Sequence, residues 1–467
     1  MRVINAHVTW LAFVALLPFG VSQPDADAFA YPGRIAQYAS ELAVVAPPSG
    51  GGIGFSVTLD AAGKVAPEAK FALSKPSWKG EGSLSLTGMA YSGGSLTGSF
   101  QVANTTPTVL EGIRVDWVDL VERYKGKDAE GKEVILSRSK ALTSDGPWMT
   151  ADLQPKQSSQ VQAFKTSGIV LAPETVDVTL RGTVSGMALV GHLNISGSED
   201  LFALDFDGRG RLYVTSNVNG AIYRMNPDGS GISTFATLPG GSISISVNRI
   251  SGEVIAQSWN ADRLFRFSAT GQDAEGLMQD DDVPGLGGWA SSARYARDGS
   301  LFCVFGGTFS KMAGKKPAFV LEGVGAFKFE DALHYDFGPD GTIWIGTAST
   351  VFRVPADGKG GTRPIIGPSL KLGNVAGITA LRCDAAGNVY VAERRDAEHY
   401  ARISVFDSQG RFIRVFGRGD SKPPGEDEEI RTGQIHTQVR SMAFGPDGRL
   451  YFSHGHLDQP IVVFEPF

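Results

Sequence analysis

The 467-residue chain has only two cysteines, Cys303 and Cys383. Two thiols exclude a disulfide framework and a four-thiolate zinc site, and leave at most one bridge. Charge is also sparse. Charged residues make up 20% of the chain, and 43 Lys plus Arg against 49 Asp plus Glu leave a net charge of −6. Without a basic surplus there is no field to hold a phosphate backbone, so a nucleic-acid partner is not expected. Beyond the first 30 residues no apolar run approaches the ~20 residues that a membrane span needs. A G-x-S-x-G elbow, a phosphate loop and a zinc-protease motif are all missing.

Glycine is what the chain has in excess, at 59 residues. With no Gly-X-Y period, that abundance suits tight turns with positive φ, and so an all-β chain with few long helices. The length corresponds to roughly two to four domains of ~100–200 residues.

Residues 1–30 read as a cleaved export signal. Arg2 supplies a thin positive start, Val8 to Leu17 is apolar, and Pro18 and Gly20 end the run. Ala26, Ala28 and Ala30 then stand at alternate positions, as before a cleavage site. The mature protein is therefore expected to be secreted or periplasmic. Residues 31–51, with Pro32, Pro47, Pro48, Gly50 and Gly51, read as a linker.

From 52 to 186 apolar residues alternate in short runs. Phe55, Val57 and Leu59 begin the series, followed by Leu84 and Leu86, Phe100 and Val102, and Ile113, Val115 and Trp117. Val134 and Leu136, Val161 and Ala163, and Val176, Val178 and Leu180 continue it. Period-2 runs separated by turn residues predict a β-sandwich. Leu96 to Thr106 and Leu153 to Ser158 resemble stretches of the Ig-like modules of bacterial surface proteins.

From 187 to 467 the chain repeats itself. Six turns end in Gly210, Gly252, Gly299, Gly341, Gly387 and Gly448, and each leads into an apolar strand such as Leu212-Tyr213-Val214 or Val389-Tyr390-Val391. A recurrence of about 40–50 residues with several strands per unit predicts propeller blades, six in number. The third strand of the sixth unit is Ile461-Val462-Val463-Phe464, so its outer strand must come from elsewhere. Met187 to Ile195 is the candidate that closes the ring.

Asn388 to Glu393, Ile403 to Asp407 and Phe412 to Gly417 resemble a nearly complete NHL repeat, and Met442 to Gly448 resembles the opening of the next. The resemblance implies a six-bladed propeller related to gluconolactonase-like, streptogramin lyase-like and peptide-amidating lyase propellers. It also implies a site at one mouth of the central channel, on the loops entering the innermost strands.

The candidate ligands at that mouth are His334, His436, His454, His456 and Glu393. His454-Gly455-His456 would put both rings on one face of a strand, which suits a metal. The gluconolactonase-like enzymes hold a divalent ion with acidic and amide residues. Here the matching positions after the second strands are Ser216, Ser258, Gly306, Thr347, Glu393 and His454, with only Glu393 acidic. The acidic runs at 280–282 and 426–429 read as solvated loops, for neither has an alternating calcium-loop pattern. No cofactor is required, and a divalent metal, calcium or zinc, is the one that these residues could take.

These readings favour an exported recognition protein whose propeller binds an extracellular protein, peptide or glycan. The alternative is a metal-dependent lactonase- or lyase-like enzyme working at the channel mouth. Cys303 and Cys383 fall on units separated by a third, too far apart for the ~7 Å that a disulfide spans between Cα atoms.

Overall fold

In the computed structural model every regular element among the described residues is a β-strand. The described residues are 52–467 apart from 76, 145, 150–151, 196–199, 259–262, 273–274, 279–289, 306–307, 314–315, 321–333, 348–349, 357–362, 367–376, 395–400, 418–434, 436–437 and 455–459. The expected export signal and linker, and both acidic runs, lie outside them. Among the described residues no helix is long and apolar enough to cross a membrane.

The first and fifth of the repeating turns share one device. Asp207 accepts backbone N–H bonds from Arg209 and Arg211, both at 2.9 Å, and Gly210 follows at φ 79°. Asp384 does the same for Ala386 and Asn388, with Gly387 at φ 86°. The Asp side chain replaces backbone partners in the turn, and glycine takes the left-handed position without a Cβ clash.

Each turn joins the first two strands of a four-stranded antiparallel sheet. The first sheet runs Leu201–Phe206, Leu212–Ser216, Ala221–Met225 and Ser233–Thr237, in sequence order. Four more sheets of the same order span 242–278, 290–320, 334–366 and 378–416. A further unit begins with Ser441–Phe444, Leu450–Ser453 and Ile461–Pro466. Its fourth strand comes from far earlier in the chain. Met187 to Leu193 pairs antiparallel with Ile461 to Pro466, with Leu189 opposite Phe464 and Leu193 opposite Ile461. That is the closure expected from the sequence.

Packing explains why the second strand of each unit is buried on both faces. Its middle residue points forward to the next unit, and its flanking residues point back to the previous one. Tyr213 packs with Ile245 and Val247 of the second unit, while Leu212 and Val214 pack with Tyr451 and Ile461 of the last. Trp344 packs forward onto Leu381, whereas Ile343 and Ile345 pack back onto Phe302 and Phe309. Tyr390 and Tyr451 continue the pattern, the latter reaching Phe206 of the first unit with ring centroids 4.9 Å apart. Alternation thus feeds two different cores from one strand, and the sequence of sheets closes on itself as a β-propeller.

Both cysteines are free and buried, as expected. Cys303 lies in the core between the second and third units and Cys383 in that between the fourth and fifth.

The N-terminal strands form two sheets facing each other. One contains Ile53–Asp60, Thr175–Leu193, Leu110–Lys127 and Glu133–Ala141; the other contains Glu68–Leu73, Gly82–Ser92, Ser95–Asn104, Gln162–Ser167 and Thr143–Ser144. Phe55, Leu84, Phe100, Val115, Trp117 and Leu180 meet in their shared core. Two expected strands differ. In Gln162–Ser167 the buried positions are Phe164 and Thr166, so Val161 and Ala163 face outward, one residue out of phase with the expected face. Glu133–Ala141 is an edge strand with Ile135 and Leu136 exposed, and its neighbour pins it through Arg138 and Lys140 on Glu122.

The strand Thr175–Leu193 belongs to both halves. Its first part pairs with Ile53–Asp60 and with Leu110–Lys127, and its last part completes the propeller's final sheet. The boundary expected between 186 and 187 falls inside one continuous strand. Polar groups seal the junction. Glu111 accepts a 2.5 Å bond from the Gly417 N–H, Arg414 donates to Ser185 at 2.8 Å, and Arg114, fully buried, pairs with Asp116 at 2.6 Å.

Candidate functional site at the end of the propeller channel

The expected metal residues divide by where they lie. His436 and His456 are outside the described residues. His334 opens the first strand of the fourth unit opposite Gly346, Glu393 ends the second strand of the fifth opposite Ile378, and His454 follows the second strand of the last. All three sit at the end of their sheets away from the turn glycines.

Glu393 is buried and engaged: Arg402 donates at 2.8 and 3.2 Å, and Ser404 at 2.6 Å. His454 is buried beside the Phe452 ring. Burial, with Arg382 adding repulsion, holds the His334 imidazole down to about 4. Among the described residues no three His, Cys, Asp or Glu side chains gather into a group that could hold a metal. His334, Glu393 and His454 therefore do not make a ligand set by themselves.

A different constellation stands at the opposite end of the channel, where the first strands run into the turns. A cavity of 370 Å³ is bounded there by Asp205, Arg294, Asp336 and Arg382, with Arg249 and Arg297 further out. Four of these residues occupy the same place in their units, five residues before the turn glycines Gly210, Gly299, Gly341 and Gly387. The first strand of each unit is an edge strand, and its inner edge presents backbone N–H groups with no strand to pair them.

The polar side chains answer that need across the gap between units. Asp205 accepts from the Val247 N–H at 3.0 Å, Ser246 from Tyr295 at 3.0 Å, and Asp336 from Cys383 at 2.8 Å. Ser441 accepts from Leu204 at 3.3 Å and so links the last unit to the first.

The acids of this cavity are therefore occupied by the wall itself. Asp205 also takes the Phe206 N–H, and Asp384 is held in its turn by Ala386, Asn388 and the Asn388 side chain. The cations are less matched. Arg294 approaches Asp336 only to 3.5 Å. Arg297 donates to the Asp384 carbonyl at 3.3 Å. Arg382 donates to the neighbouring Leu381 carbonyl at 2.6 Å, and its buried Nε meets no acceptor among the described residues. Burial and the Arg294 charge lower the Arg382 guanidinium to about 10, which still leaves it protonated at neutral pH.

Strand order and inter-unit packing define the propeller class. No family model matches the chain, and no curated protein matches it. It is similar to solved structures of a streptogramin B lyase (14% identity, 61% of this chain, 98% of that one, TM-score 0.41) and of a gluconolactonase from Xanthomonas campestris (12%, 61%, 90%, TM-score 0.43). It is also similar to regucalcin, a calcium-binding protein from Agrobacterium tumefaciens (17%, 59%, 93%, TM-score 0.42).

Sequence reasoning missed the cavity because it looked to the ends of the second strands. The signal was present in Leu204-Asp205-Phe206, Ala293-Arg294-Tyr295, Tyr335-Asp336-Phe337 and Leu381-Arg382-Cys383, where a charge stands between two apolar residues at a fixed distance from a turn glycine.

Proposed function

We infer that this chain is an exported six-bladed propeller, joined to an Ig-like sandwich, that binds a small molecule in the turn-side end of its channel. The cavity carries this reading. Its volume falls within the roughly 300–1,000 Å³ of small-molecule sites, and its walls come from successive first strands held in place by cross-unit hydrogen bonds. Such a site is preformed, with charged groups converging on a confined space. That moves the expected partner from a macromolecule on the propeller's flank to a small ligand inside it.

Ala385 lines the cavity from an exposed turn and offers a direct test. Ligands found by thermal-shift screening of the mature chain should lose their effect in Ala385→Trp, whose own melting temperature should stay near that of the wild type. Undiminished binding in that variant would place the ligand elsewhere.

A second reading is catalysis of the lactonase or lyase kind, with a divalent metal, at the other end of the channel. It is favoured by the common placement of His334, Glu393 and His454 at that end of their sheets, and the similar solved structures include a lyase and a gluconolactonase. Metal analysis of purified mature protein tests it: stoichiometric, tightly held calcium or zinc supports the enzyme, and a metal-free chain that keeps its ligand supports the binder.

A further inference from the structure

We propose that the ligand of the turn-side cavity is a small oxyanion, carboxylate- or phosphate-bearing, held by Arg294 and Arg382 and drawn in by Arg249 and Arg297. The proposal rests on the small-molecule reading and adds the chemical class to it.

Four guanidinium groups and three carboxylates surround the cavity. The carboxylates are not equivalent to free counter-charges. Asp205, Asp336 and Asp384 each accept backbone N–H bonds from the wall, which hold them in place there; they keep their charge, and four guanidinium groups against three carboxylates leave one positive charge unmatched. Arg382 has no ion pair among the described residues, and the Arg294 contact with Asp336, at 3.5 Å, is beyond hydrogen-bond length for a charged pair. Arg249 and Arg297 are exposed at the rim, with no carboxylate within ion-pair distance among the described residues. Two half-enclosed guanidiniums near each other repel, and an oxyanion between them would relieve that repulsion while accepting bonds from both. The whole chain's charge of −6 makes the local cationic surplus a feature of this site and not of the surface at large.

Recognition would be selective for planar or tetrahedral oxygens because the guanidinium donors form a fixed fork. A neutral sugar or an amine gains nothing from this arrangement, and an amine is opposed by it.

The test is calorimetric titration of the mature full-length chain at pH 7 and low ionic strength with inorganic phosphate, citrate and glucose, each matched for ionic strength with chloride. Phosphate or citrate should bind and glucose should not, with the two anions separating a phosphate site from a carboxylate site. Arg382→Gln and Arg294→Gln should each weaken anion binding by about ten- to a hundred-fold, the loss expected for a charge-assisted hydrogen bond. Arg249→Gln, at an exposed position that cannot unfold the core, should weaken it several-fold and flatten its salt dependence.

If glucose or another neutral ligand binds, is blocked by Ala385→Trp and is unaffected by Arg382→Gln, the anion class is overturned while the small-molecule reading survives. If no charged or neutral compound binds the wild-type chain, both fall. Anion binding that is indifferent to all three arginine variants places the anion outside this cavity and overturns the proposal.

Discussion

His334 shows how one half-buried side chain ties this fold to pH. Its imidazole is held at about 4 by burial first and by Arg382 second, against roughly 6.5 for an unfolded chain. The folded state therefore keeps the ring neutral where the unfolded state takes up a proton. The stability it contributes is fully present above pH ~6.5, falls as pH drops from there to about 4, and changes no further below. The loss across that window is about 3–4 kcal/mol at most, at ~1.4 kcal/mol per unit. His334→Gln should lose correspondingly less stability between pH 7 and pH 4, measured by urea unfolding at the two values; parallel losses in both proteins would show that the ring titrates normally. The same scale explains what the sequence concealed. Tyr213, Trp344 and Tyr390 announced themselves as core, because an aromatic between two apolar residues has few other uses. Asp205, Arg294, Asp336 and Arg382 stand in equally apolar strands, where a lone charge reads as the solvated face of a two-sided sheet. Only the neighbouring unit's unpaired N–H groups, invisible in one strand's sequence, give them their role.

At the scale of elements, the turns, the second strands and the closing strand were all legible, since each depends on local spacing or on a missing partner. The junction between the halves was not. Gly112 illustrates why. It sits at φ 56° in Leu110–Lys127, and a Cβ there would lie 2.8 Å from the Val415 carbonyl oxygen of the fifth unit. The contact joins positions some 300 apart in the chain, which no local pattern encodes. Gly112→Ala should suffer both the left-handed backbone and the clash, and lose about 1–3 kcal/mol. Gly131, at φ 80° with open space around it, supplies the control: Gly131→Ala pays only the backbone part, about 1 kcal/mol. Equal losses in the two variants, by thermal or urea unfolding, would mean that the strand does not press against the fifth unit.

For the whole molecule, Phe467 is the informative residue. It follows the last propeller strand, yet its ring lies in the sandwich core, 4.9 Å from Trp78, and its backbone exchanges two hydrogen bonds with Gly186. Neither half is complete without the other. Phe467→Ala should cost about 3–5 kcal/mol, as for other buried aromatics, and calorimetry should show one transition moved to lower temperature. Two separated transitions, with only the first displaced, would show instead that the halves unfold independently.

The strand Thr175–Leu193 also sets a timetable for biosynthesis. Met187 to Leu193 must wait for Ile461 to Pro466, which leave the ribosome about 270 residues later. At ~5–20 residues per second that is on the order of tens of seconds. Throughout that interval the strand's far edge is open, although Leu110–Lys127 already covers the other side from Thr175 to Ala188. Nascent chains crowded on one message would then be each other's nearest available partners, and the bulge between Leu189 and Gly191 interrupts the regular edge that such a mispairing would use.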